Sequence, residues 1–342
     1  MRAIVKNKPG PGAEIMELEK PKINADQVLI KVESTSICGT DYHIYSWDNW
    51  ARNNIKPPLI MGHEVAGKVV ETGSRVTKVK KGDFVSAETH IPCLQCYQCE
   101  TGKMHICRNM KILGVHTDGV FADYAVLEEI DVWPNHPSIP AEFASVQEPL
   151  GNAIDTIRPG NVAGKSVLIT GAGPIGLLAV GVARVFGAVK IIVSEPNDFR
   201  RELALEMGAD VAIDPVSEDL VYAVKDSTDG NGVDFAAEIS GNIQALKDSL
   251  KSVTAGGRMA LLGLPAEEVK LDLTSDMIFK GINMYGITGR EMFKTWHIAA
   301  GLLRGKRLDL KPVITHTFPL TEYEKGMELM KSGNCGKIIL KP

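Results

Sequence analysis

The stretch "VLITGAGPIG", residues 167–176, decides the fold. A short apolar run enters the glycine pattern Gly171-x-Gly173-x-x-Gly176, and the apolar segment "PIGLLAVGVARVFG" leaves it and closes at a glycine. Such a pattern alone is weak, but a strand before it and a helix after it make a dinucleotide-binding turn. Gly171 permits the tight turn, Gly173 lets backbone approach a pyrophosphate, and Gly176 lets helix pack on strand. The helix start, with Ile175 in its first turn, presents unpaired N–H groups to phosphates. Nineteen residues after Gly176, the next run "IIVSE" ends in Glu195. A carboxylate there accepts hydrogen bonds from ribose hydroxyls and repels a 2′-phosphate, favouring NAD over NADP. Arg200 lies close enough in sequence to stack on adenine or reach the ribose, and it is the one feature that could soften that preference. The loops "LLGLP", with Leu262, Gly263 and Leu264, and "YGITG", with Ile287 and Thr288, follow later strands and are candidates for the nicotinamide side.

Outward from this turn, strands and helices alternate. "KSVLIT", "VKIIVSE", "VDFAAEIS" and "GRMALLG" read as buried strands, with "DFRRELALEMG" a helix among them. The class is therefore α/β, with a doubly wound parallel-sheet Rossmann domain over residues 151–290. Residues 1–150 are β-rich, with short alternating runs such as "QVLIKVES" and "HEVAGKVVETG" broken by Gly and Pro. The tail carries a helical "KTWHIAAGLLRG" and a final strand "GKIILKP". The expected organisation is a catalytic domain built from residues 1–150 and 291–342, with the nucleotide domain inserted.

The chain has 342 residues, 44% of them hydrophobic, enough for two cores. A net charge of -4 gives no sign of a nucleic-acid partner. The start "MRAIVKNKPG" has no apolar core of signal-peptide length, and the most apolar stretch is broken by Arg184 and Lys190. A cytoplasmic protein with no membrane partner is expected.

"ETHIPCLQCYQCETGKMHICRN", residues 88–109, holds Cys93, Cys96, Cys99 and Cys107. In a reducing compartment this spacing points to a tetrathiolate Zn²⁺ rather than to disulfides. Four thiolates leave no open position, so such a site folds a lobe and does no chemistry. An iron–sulfur cluster is the rival reading, and free thiols the bland one. Lys103 and Arg108 are placed to offset part of the negative charge.

A second group lies in "SICGTDYHIYSWDNW" and "IMGHEVAGKVVETGSRV". Cys38, His63 and Glu64 offer a thiolate, an imidazole and a carboxylate, which can hold Zn²⁺ with one position open for water or substrate. Glu148, in "QEPLGNA", is a candidate fourth ligand or a carboxylate just behind the ligands. The plainer readings are that Cys38 is a buried hydrophobe and that His63 and Glu64 merely begin or end a strand.

Cys38, the run "GHEVAGKVVETGSRV", the four-cysteine lobe and "GAGPIG" together resemble the zinc-dependent medium-chain dehydrogenase/reductases, in order and spacing along essentially the whole chain. The resemblance implies a β-rich GroES-like catalytic domain beside the Rossmann domain, and two Zn²⁺ per subunit. Cys38, His63 and Glu64 would bind the catalytic zinc, and the four clustered cysteines the structural one. Thr40 and His43 would form a proton relay, with Glu148 tuning or intermittently ligating the metal. It carries the NAD contacts to Ile175, Glu195, Arg200, Leu262 to Leu264, Ile287 and Thr288, and it implies a homotetramer. The stretches "CGTDYHIYSWDNW", "EPLGNAIDT" and "GREMFKTW" look most like the branch that oxidises the 3-hydroxyl of L-threonine to 2-amino-3-oxobutanoate.

Two alternatives stand beside this one: an NAD-dependent polyol or diol dehydrogenase of the same family, and a non-catalytic NAD-binding redox sensor with structural zinc only. An amino-acid substrate needs partners for its ammonium and carboxylate, and His90, Arg290 and Glu291 are candidates. Tyr45, Trp47 and Trp50 either wall a cleft or pack ordinarily.

Overall fold

The computed structural model describes all 342 residues. They form two compact units: Met1–Glu148 with Glu291–Gly305 and Ile314–Pro342, and Pro149–Arg290 with Lys306–Val313.

The first unit is built around the long strand Gln27–Ile37. One edge pairs antiparallel with Glu64–Thr72; the other is shared between Tyr124–Glu128 and the C-terminal strand Lys337–Lys341. Val28, Ile30 and Val32 alternate inward, as a sheet with one face in a core requires. The registers matter most at the strand's end. Ser36 lies opposite Glu64 on one side, and Ile37 lies opposite Ile338 on the other. Two segments hundreds of residues apart are thus brought to the point where Cys38 leaves the sheet.

Cys38 is the N-cap of the helix Gly39–Ser46. Asp41 and Ile44 face inward and are buried, while His43 is exposed and Thr40 half-buried. Trp47 ends the helix in the left-handed region, at φ 59°, and a second short helix, Asn49–Asn54, follows. Before Glu64–Thr72 the chain turns at Gly62, with φ +89°; a Cβ there would lie 2.1 Å from the Phe121 ring. Only glycine fits, and this turn delivers His63 and Glu64 as a pair.

The second unit is a six-stranded parallel sheet. Its order is Val211–Ile213, Lys190–Ser194, Ser166–Thr170, Val233–Glu238, Val253–Leu261, Asn283–Gly286. Val167, Leu168, Ile169, Ile191, Ile192 and Val193 are all buried, the continuous apolar pattern of strands covered on both faces. The strand order reverses between Ser166–Thr170 and Val233–Glu238, so the crevice beyond their carboxyl ends is the switch point where such sheets bind nucleotides.

The tail departs from expectation in one place. Lys306–Val313 packs with the second unit, because Leu308 reaches the helix Pro174–Val185 where Gly181 leaves room: a Cβ there would meet Leu308 Cδ1 at 2.6 Å.

Candidate active site and metal centres

The four-cysteine lobe is held by local turns. Cys96 precedes the one-turn helix Tyr97–Glu100, and Leu94 and Gly102 take positive φ. The thiols are unbridged, and their sulfurs all lie within 4.8 Å of one another. Cys96 Sγ is 3.6 Å from Cys99 Sγ and 3.8 Å from Cys107 Sγ. Thiolates 2.3 Å from a tetrahedral zinc sit about 3.8 Å apart, so the spacing matches that geometry. Backbone N–H groups of Cys93 and Asn109 donate to Cys107 Sγ at 3.2 and 3.3 Å. Backbone N–H groups of Cys99 and Arg108 pull the Cys96 pKa down to about 6, while burial and neighbouring thiols push Cys99 up to about 12. Four sulfurs this close, one readily ionised and another held protonated, suit a cation that favours the thiolate at all of them.

The second cluster gathers where the sheet ends. One ligand atom each from Cys38, His63 and Glu64 lie within 4.8 Å of one another. His63 and Glu64 are buried, at 5% and 0% exposure. His63 Nδ1 sits 3.5 Å from Asp41 Oδ1, and neither atom has a closer hydrogen-bond partner. Asp41 Oδ2 meanwhile accepts from Cys38 N–H at 2.8 Å. A carboxylate behind one imidazole nitrogen is the usual support of a metal-ligating histidine. Burial disfavours charge on His63, yet Asp41 and the Cys38 thiol outweigh it and hold its pKa well above the ordinary value. The pocket therefore favours a positive charge between Cys38 and Asp41, and a dication fits the donor set.

Glu64 has two partners that sequence reasoning missed. Its Oε1 accepts from Lys337 Nζ at 2.5 Å, and Ser36 Oγ donates to its other oxygen. Lys337 is 2% exposed and also donates to Ile37 O at 3.1 Å. Burial raises the Glu64 pKa against the pull of Lys337; it disfavours charge on Lys337 as well, but Glu64 and Cys38 more than restore it. One available signal was the lysine at the head of the buried strand "KIILK", since a buried ammonium needs an anion. Glu148 is 7% exposed, accepts from Thr89 Oγ1 at 3.3 Å, and acts electrostatically on both Glu64 and Lys337. Cys38, Glu64 and Glu148 thus gather near the Lys337 ammonium, a donor set that suits a dication.

Thr40 and His43 sit three residues apart on one face of Gly39–Ser46, the spacing of side-chain neighbours. His90 donates its backbone N–H to the buried Glu88 at 3.0 Å. Arg290, 1% exposed, donates to Asn152 Oδ1 at 3.1 Å, and Glu291 pairs with Lys294 at 3.3 Å. Trp47 is buried under Lys6 and Tyr45 packs edge-on against Tyr323, so both are packing residues.

In the second unit the glycine turn has the shape of a phosphate cradle. A Cβ on Gly176 would lie 1.9 Å from Gly171 O, whereas one on Gly173 would meet nothing within 4 Å. Gly173 is the N-cap of Pro174–Val185 and lends no side chain to the free N–H groups there, Ile175 among them. Glu195 is 5% exposed; its oxygens accept from Ala172 N–H at 2.7 Å and Asn197 N–H at 3.1 Å. It braces the turn as well as standing where a ribose would be read. Arg200 lies in the first turn of Asp198–Glu206. Leu262 to Leu264 and Ile287 with Thr288 follow the carboxyl ends of Val253–Leu261 and Asn283–Gly286. Glu238, which sequence reasoning also passed over, holds both flanking turns. Its side chain accepts from Ser240 and Gly241 N–H, and its backbone carbonyl accepts from Leu262 and Gly263 N–H.

This fold and these donor sets are those of a metal-assisted dehydrogenase. The alcohol dehydrogenase GroES-like domain profile matches residues 24–138, and the zinc-binding dehydrogenase profile matches residues 174–304. L-threonine 3-dehydrogenases from Caldanaerobacter subterraneus subsp. tengcongensis and Pyrococcus horikoshii are each 54% identical to this chain. The alignments cover 100% and 99% of it, and 99% and 98% of the relatives. A Sinorhizobium meliloti 1021 protein assigned as a zinc-binding dehydrogenase, bound to NADP, superposes with a TM-score of 0.92 at 28% identity, covering 100% of this chain and 99% of its own. An alcohol dehydrogenase from Escherichia coli CFT073, complexed with NADH, does so at 0.91 and 27%, with the same coverage. The chain belongs to the zinc-binding dehydrogenases of the medium-chain dehydrogenase/reductase family. No helix is long and apolar enough to cross a membrane.

Proposed function

We propose that this enzyme oxidises the 3-hydroxyl of L-threonine to 2-amino-3-oxobutanoate, with NAD as hydride acceptor. The observation that carries the substrate is identity near one half, over the full length, to L-threonine 3-dehydrogenases.

Cys38, His63 and Glu64 hold the catalytic zinc, and Cys93, Cys96, Cys99 and Cys107 a structural one, giving two per subunit. Bound there, zinc would supply Lewis-acid polarisation of the substrate hydroxyl, and bound NAD would supply the hydride acceptor. Asp41 orients His63 from behind. Lys337 and Ser36 restrain Glu64. Thr40 accepts the hydroxyl proton as it gives up its own toward His43, which, exposed on the same helix face, passes a proton to solvent; an imidazole can both accept and release one. Ile175, Glu195, Arg200, Leu262, Gly263, Leu264, Ile287 and Thr288 contact NAD. Glu195 selects it over NADP by facing the 2′ position with negative charge. A homotetramer in the cytoplasm completes the reading, and light scattering on the purified enzyme checks the assembly.

The test is an NAD-reduction screen at equal concentrations of L-threonine, sorbitol, xylitol and 2,3-butanediol, with zinc counted per chain. Threonine turnover leading, with two zincs, is the expected result. Polyol turnover far above threonine overturns the substrate; one zinc and no alcohol-dependent NADH leaves the redox-sensor alternative instead.

A further inference from the structure

Asp48 plays no part in the function described so far, yet its carboxylate is aimed at the proposed proton carrier. Its Oδ2 lies 2.6 Å from His43 Nδ1, while its Oδ1 accepts from Ala51 N–H at 2.9 Å as N-cap of Asn49–Asn54. The left-handed turn at Trp47 folds Asp48 back over the preceding helix, and the buried, lysine-covered indole anchors that turn. Arg52 Nε donates to Trp47 O at 3.1 Å and ties the second helix to it. Asp48 is thus fixed by contacts that do not involve His43. The Trp50 ring, centroid 6.2 Å from the imidazole, flanks the pair.

We infer that Asp48 is a positioning residue for the proton relay: it fixes His43 as the Nδ1–H tautomer and leaves Nε2 as the basic nitrogen that takes the substrate proton. The inference rests on the reading of His43 as the relay's outer member.

An ionised carboxylate can only accept, so the short contact requires His43 Nδ1 to carry hydrogen. Burial works against the Asp48 charge, but the Ala51 N–H and His43 outweigh it and hold its pKa below the ordinary carboxylate value. With Nδ1 committed, the lone pair stays on Nε2. A carboxylate that orients an imidazole and stabilises its protonated form is the logic of hydrolase triads, placed here on an outward relay. The neighbouring helices Asn49–Asn54 and Tyr323–Ser332 carry Arg52, engaged with Trp47, Glu324 and Glu328, which act on Tyr45, Lys325, paired with Glu322, and Lys331.

The experiment compares zinc-loaded, full-length wild type, D48N, D48S, H43N and D48N/H43N. It reads threonine kcat and KM, and the tautomer of His43 by ¹⁵N NMR in wild type and D48N. Asn and Ser both serve as N-caps, so the short helix persists. D48N and D48S should each lose about tenfold in kcat. In the H43N background D48N should change nothing further, and the wild-type spectrum should show hydrogen on Nδ1. An equal D48N loss with and without His43, or hydrogen on Nε2, overturns the inference. H43N with full activity overturns the relay reading itself, and this inference with it. Impaired H43N beside undiminished D48N overturns this inference alone.

Discussion

Replacing Lys337 by Met tests whether the buried ion pair is a working part of the metal site. Lys337 and Glu64 are 2% and 0% exposed and meet at 2.5 Å, with Lys337 also donating to Ile37 O. Removing one partner of such a pair strands a buried charge and costs about 3–5 kcal/mol. For a domain of this size that lowers the unfolding midpoint by roughly 10 °C. The cost should be largest without metal, where Glu64 keeps only Ser36 as a hydrogen-bond donor. With zinc bound, a dication replaces the lost ammonium, and the drop should shrink to under about 5 °C. Thermal unfolding of wild type, K337M and K337R, each zinc-loaded and after chelation, reads the difference directly; K337R keeps the charge and should sit near wild type in both states. Equal midpoints for K337M and wild type after chelation, or equal losses with and without zinc, would refute the reasoning.

Replacing Cys38 with Ser should abolish turnover while NADH fluorescence titration shows undiminished cofactor affinity; retained turnover would remove Cys38 from the site. Replacing Cys99 with Ser should lose one zinc per chain and lower stability, because a structural zinc contributes folding free energy, a result read by metal analysis beside thermal unfolding. Replacing Glu195 with Ala removes the acceptor of the Ala172 and Asn197 N–H groups. It should weaken NAD binding about tenfold and narrow its margin over NADP, measured as paired dissociation constants. Arg2 donates to Asp123 through its backbone N–H at 2.6 Å and its guanidinium at 2.7 Å. Burial opposes the Asp123 charge, but these bonds hold its folded pKa below the unfolded 3.8. Its stabilisation is therefore present above that value and lost as pH falls through the folded one. Urea midpoints of wild type and D123N should differ at pH 6 and converge in acid.

Features carried by contiguous residues could be read directly. The glycine turn with its flanking strand and helix, the four-cysteine spacing and the Gly62-His63-Glu64 turn each owe their form to near neighbours. What could not be read depends on long-range register. Lys337 reaches Glu64 only because Lys337–Lys341 and Glu64–Thr72 flank the same end of Gln27–Ile37, and no local pattern announces that pairing. Glu88, buried and accepting from Trp296 Nε1 at 2.5 Å, is a similar case across 208 positions. Asp41 and Asp48 lay in plain view beside Cys38 and His43. The role of Asp41 depends on its helix start meeting His63, and that of Asp48 on the left-handed turn at Trp47, which no side-chain preference requires. The placement of Lys306–Val313 turned on one leucine meeting one helical glycine.

Anomalous scattering at the zinc edge, from crystals of protein with full threonine-dependent NAD reduction, is the most direct test of the central claim. Two peaks per chain are predicted, one among Cys93, Cys96, Cys99 and Cys107 and one touching Cys38, His63 and Glu64. Fully active protein with no metal at the second position would contradict it.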